Sequence, residues 1–147
     1  MTRSTFGAEL FAACDAVDFG MLLATILHQV DTGICSVSSA KLLREQGGWA
    51  IQIILAIDAY SVFAAVIAQM VKTPAEKSLL SHVQFLRELL DRGILEYISW
   101  LDTRDMAADG LTKGEVERES LHAIMDGYLK IAQPTESWRS PNRLAKM

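Results

Sequence analysis

Two rhythms of hydrophobic and polar positions run along the chain. Leu10, Cys14, Val17 and Met21 recur at helical spacing, with Leu22, Ile26 and Val30 widening the stripe. Ser4 or Thr5 is placed to cap this helix, which is predicted to run to about Val30. Gly33 to Gly48 reads as a connector with a short helix over Ser39–Glu45. The rhythm then changes. Ile51–Ile57 (IQIILAI) is a nearly unbroken apolar run, the pattern of a strand buried on both faces. Helix returns from about Tyr60 to Val71 and stops before Thr73-Pro74. Pro74 opens another helix over Ala75–Arg92, which Gly93 closes. Ile94–Trp100 (ILEYISW) predicts a second strand. A last helix is predicted from near Asp105 to about Ile131, and after Pro134 a polar, basic tail that frays.

The predicted order is therefore α–β–α–α–β–α, an α/β arrangement with a small parallel sheet flanked by helices. Strands separated by helices favour a parallel pair with right-handed crossovers. Two strands make a thin sheet, so the pattern reads as part of an α/β domain. Residues 1–133 form that unit and 134–147 the tail.

Composition narrows the picture. With 147 residues the chain is sized for one domain, and 50% hydrophobic against 22% charged residues excludes global disorder. The net charge is −4, unlike the basic surplus of many phosphate-binding proteins. Residues 1–70 hold only Arg3, Lys41 and Arg44, so any phosphate-facing surface is expected in the second half. Cys14 and Cys35 make neither a disulfide framework nor a zinc site, and reduced thiols fit a cytoplasmic or nuclear setting. The N-terminus shows no signal-peptide core. The segment Trp49–Val71 is long enough to span a bilayer, but Asp58 near its centre would cost about 2.5–3.5 kcal/mol there. Strand, aspartate, helix explains it better, and no membrane is expected. His28, His82 and His122 are far apart and read as helix-face residues.

Three carboxylates fall at matching places. In open α/β sheets functional groups gather at the carboxyl ends of strands. Asp58 directly follows the first predicted strand, and Asp109 lies soon after the second. Glu9 sits in the first turns of the first helix without completing a capping box. Favourable interaction with a helix dipole, about 0.3–1 kcal/mol, is the plain reading of Glu9 and Asp109. Asp58 reads as a helix cap or a metal ligand. An oxygen-only set suits Mg²⁺.

These residues carry a resemblance. STFGAELFAA (Ser4–Ala13) resembles the SSTEAEYVAL type of segment in copia-type retrotransposon polyproteins. IDAYSVFAAV (Ile57–Val66) looks like their cDNqSAi segment. Lys77–Gly114 is similar to their KHIDiryHFIREl…G.i.l.yV.T.dqlADilTK stretch, most specifically at Thr103, Ala108-Asp109 and Leu111-Thr112-Lys113. The segments occur in the right order at compatible spacings.

The resemblance implies a partial ribonuclease-H-like fold from the C-terminal part of a reverse transcriptase polyprotein. The implied activity is hydrolysis of RNA in an RNA–DNA hybrid by two Mg²⁺ ions, or Mn²⁺. Glu9, Asp58 and Asp109 are then catalytic metal ligands, and Ser61, Lys77 and Lys113 contact substrate. Asp102, Arg104 and Asp105 remain loop and cap charges, and Lys72, Arg87 and Arg92 solvated helix faces. The chain departs from the family in two ways. The family's KHID histidine is replaced by Ser78. Its first catalytic aspartate, on a strand upstream of the glutamate, has no counterpart here. The expectation is an N-terminally truncated domain, inactive alone, whose partners are the hybrid and the rest of the polyprotein. The alternative is a non-catalytic helical interaction module in which homodimerisation hides an apolar patch.

Overall fold

The architecture comes from a computed structural model that describes residues 5–34, 36–70, 74, 76–115 and 118–143. The elements are α1 (Thr5–Thr32), α2 (Val37–Gln46), β1 (Ile54–Ile57), α3 (Tyr60–Ile67), α4 (Leu80–Asp91), β2 (Tyr97–Trp100), α5 (Asp109–Thr112), α6 (Glu119–Met125) and β3 (Glu136–Trp138). Single 3₁₀ turns precede α4 at Lys77–Leu79 and α5 at Thr103–Asp105. The protein is thus mixed α/β.

The expected parallel pair is present. β1 and β2 run parallel, with Leu55 beside Ile98 and Ile57 beside Trp100. α1, α3 and α4 pack on one another and on the Leu55–Ile98 side of this pair. Leu10, Val17, Phe63, Leu86 and Ile98 lie at the centre, essentially without solvent contact. The alternation within β1 corrects the expectation of a strand buried on both faces. Leu55 is 5% exposed, but Ile54, pointing the other way, is 45% exposed.

Two further differences lie after Trp100. The helix expected from Asp105 to Ile131 is broken into a 3₁₀ turn, α5 and α6. Glycine weakens a helix interior by about 1 kcal/mol relative to alanine. Gly110 and Gly114 both fall in the expected helix, and the chain turns at Gly114. The tail expected to fray instead supplies β3, antiparallel to β2, with Ser137 opposite Ser99 and Trp138 opposite Ile98. The sheet is therefore mixed, in the order β1-β2-β3.

Local signals did set several boundaries. Ser36 caps α2 by accepting the Ser39 N–H at 3.1 Å. Gly93 follows α4 at φ 71°, a left-handed conformation suited to glycine, and its N–H donates to the Leu90 carbonyl. The segment Trp49–Val71 is not one apolar helix: as expected, strand, Asp58 and helix follow one another. Among the described residues, α1 is long and apolar enough to cross a membrane by length and composition, a property that core helices share. Two helices are shorter than expected: α3 ends at Ile67, not near Val71, and α4 starts at Leu80 after its 3₁₀ turn, not at Ala75; Val71, Thr73 and Ala75 themselves lie outside the described residues.

Candidate functional site

Parallel pairing brings the carboxyl ends of β1 and β2 to one edge. The Leu101 N–H donates to the Ile57 carbonyl at 2.8 Å and holds those ends level. The Trp100 indole N–H donates to the Asp58 carbonyl at 3.0 Å, and its ring meets Tyr60 edge-on at 5.4 Å. The turn carrying Asp58 is thereby tied to the neighbouring strand. Asp58 is not spent as a helix cap, since the N-cap of α3 is Ala59, without a side-chain cap bond. Its side chain is half-buried, and among the described residues no hydrogen bond or ion pair engages the carboxylate.

Asp109 opens α5, which starts beyond the Asp102–Met106 turn. Its carboxylate, 17% exposed, pairs with Lys113 Nζ at 2.8 Å, one helical turn on. That hydrogen bond is the main reason the Lys113 ammonium holds its proton above the usual range; the charges of Asp109, Asp58 and Glu9 add to it. Glu9 projects from the exposed second turn of α1. One ammonium is therefore within electrostatic reach of carboxylates from three distant segments.

This rim is not a metal cage as it stands. Among the described residues, no group of three or more His, Cys, Asp or Glu side chains lies close enough to hold a metal ion. The donor chemistry suits Mg²⁺, but the carboxylates do not gather about one point, and Lys113 already neutralises Asp109. The described residues alone therefore make no metal cage, and no step through a metal follows from this geometry.

Ser61 lies in the first turn of α3, exposed and three residues after Asp58. Lys77 starts the 3₁₀ turn before α4 and is exposed. Lys72 lies outside the described residues, as does Cys35. Arg92 is exposed, near Glu88 at 3.4 Å. Arg87 is not a solvated charge: its side chain is 12% exposed, because it donates to the Val66 and Ala68 carbonyls and lies over the Trp138 ring at 4.7 Å. His28, His82 and His122 all sit on helices; His28 accepts the Ala50 N–H, and His82 meets Phe11 edge-on.

Asp102 is the expected cap. It accepts the Arg104 N–H at 3.0 Å and pairs with the Arg104 guanidinium, which holds its carboxyl at about 2. Asp105 does more. It is buried, and it accepts the backbone N–H groups of Ala132 and Gln133, the latter at 2.7 Å. Sequence reasoning also missed Glu96, which lies buried at the start of β2. Arg143 grips it with two bonds of 2.7 Å, and Arg139 approaches to 2.9 Å. The one available signal was a glutamate inside an apolar strand pattern, which calls for a cationic partner.

Compared with known proteins, the chain matches no family model, no curated protein and no solved structure.

Proposed function

We propose that this chain is the C-terminal part of a ribonuclease-H-like domain from a copia-type reverse transcriptase polyprotein. That family's activity is Mg²⁺-dependent hydrolysis of RNA in RNA–DNA hybrids. The observation that supports this reading most is the parallel pairing of β1 and β2, which puts Asp58 at the sheet edge from which the chain runs on to Asp109. Glu9, Asp58 and Asp109 are the three carboxylates that the resemblance selects, from segments far apart in sequence. In the complete site they would be ligands, with Ser61, Lys77 and Lys113 facing substrate. The chain alone is inactive on this reading, because the three carboxylates lack the fourth with which the family fixes two divalent ions.

The test is cleavage of a labelled RNA–DNA hybrid in Mg²⁺, by the chain alone and by the chain preceded by its upstream coding segment. The chain alone is expected at background. The extended protein is expected to cleave, and Asp58→Asn to abolish that cleavage. Robust turnover by the chain alone, or none by an extended, folded protein, overturns the proposal. A second reading, a non-catalytic helical interaction module, draws support from the apolar surface of α1.

A further inference from the structure

α1 is apolar on two opposite faces. Leu10, Val17, Met21 and Ala24 turn into the core. Across the helix, Phe19, Leu22, Leu23, Ile26, Leu27 and Val30 are each between 47% and 78% exposed. Residues three and four apart share a helix face, so these six form one stripe. Ala12 and Ala16 extend it toward the N-terminus, and the series 12, 16, 19, 23, 26, 30 follows the alternating four- and three-residue step of a coiled-coil seam. Single exposed leucines are ordinary. A continuous stripe of this size marks a place of contact.

We propose that this stripe is the interface between two copies of the chain, α1 against α1. Area and seam spacing both favour that occupant. The exposed apolar surface of the six side chains is on the order of the 800 Å² that one partner contributes to a standard interface. The seam spacing suits a second helix bearing the matching pattern, which another copy provides. A lipid surface fits poorly. Helices that lie on membranes carry Lys and Arg along their polar flanks. α1 has neither, and Asp15, Asp18 and Asp31 flank the stripe. Anionic headgroups would repel them. Spanning a bilayer would also strip the core-facing side of α1 from α3 and α4. The inference deepens the second reading above, and a monomeric chain would leave the nuclease proposal to its own test.

Light scattering on the full chain across about 1 to 100 µM tests it. The wild-type protein is expected at twice the monomer mass in the upper part of that range. Leu23→Glu combined with Ile26→Glu is expected to raise the dissociation constant at least about 100-fold. Both positions are exposed, so far-UV circular dichroism should be unchanged, and the thermal midpoint should match that of the wild-type monomer at low concentration. Phe19→Lys gives a second variant with the same expected loss of dimer. A wild-type monomer throughout the range overturns the proposal. So does a dimer indifferent to these substitutions, or a monomer that sediments with phosphatidylcholine–phosphatidylserine vesicles.

Discussion

Residues up to Trp100 and residues beyond it are fastened in different ways. Every member of the main buried cluster lies between Leu10 and Ile98, contributed by α1, β1, α3, α4 and β2 and the turns beside them. Beyond Trp100, the buried positions among the described residues are Leu101, Asp105, Gly110 and Ser140. That later region is held by Glu96 to Arg143 and Arg139, by Asp105 to the Ala132 and Gln133 amides, by Ser140 to Asp91, and by Arg118 to the Gly110 carbonyl. Apolar burial is non-directional and tolerates small shifts. A polar clasp depends on angle and ionisation. The candidate rim straddles the two regions: Glu9 and Asp58 belong to the packed part, Asp109 and Lys113 to the clasped part. The core thus sets Glu9 against Asp58, and polar contacts set where Asp109 lies relative to both.

The largest effect separating the regions is expected in the core. Phe63→Ala should cost about 3–5 kcal/mol, because Phe63 is fully buried and leaves a cavity. Denaturant unfolding measures this; a cost below about 1 kcal/mol would mean that the cluster is not the source of stability.

Glu96→Gln should cost less, about 1.5–3 kcal/mol, by removing the charged acceptor of Arg143 and Arg139. Amide exchange should quicken in 136–143 while α4 stays protected. Equal loss of protection in both places would break the comparison.

A smaller effect is expected at alkaline pH. Burial, then Asp18 and Asp15, push the Cys14 thiol from its ordinary 9.0 up to about 11. The raised value belongs to the folded state, so the contribution is complete below pH 9.0. Above that the unfolded chain ionises first, and stability falls as pH rises toward about 11. Cys14→Ala should flatten that part of the pH–stability curve; an unchanged slope would assign it to other groups.

The smallest effect is expected at the rim. Lys113→Met removes a solvent-exposed partner and should leave the unfolding midpoint within error. A clear drop would mean that Lys113 fastens α5 to the body of the protein.

How much was legible follows the same division. The helical spacing of Leu10, Cys14, Val17 and Met21 predicted α1, and the apolar runs predicted where β1 and β2 lie, because burial imposes periodicity. The third strand, Glu136–Trp138, escaped notice: three residues cannot display a period, and only Trp138 hinted at burial. The break in the last predicted helix turned on Gly114 and the remote use of Asp105, which periodicity does not encode. At the rim, the position of Asp58 was readable from the apolar run it ends, whereas the Asp109–Lys113 pair was not read, because Lys113 was expected to face substrate. Nor was Arg143, since the residue it neutralises lies on another element and nothing in its neighbours announces it.

β3 pairs with β2 but follows it in the chain after α5 and α6. At about 5–20 residues per second, translation separates the two by several seconds. During that interval the nascent protein has a buried nucleus and an uncovered row of backbone donors and acceptors along β2. Such a row pairs readily with whatever extended polypeptide is nearby. Folding yield therefore hinges on how soon β3 reaches that row.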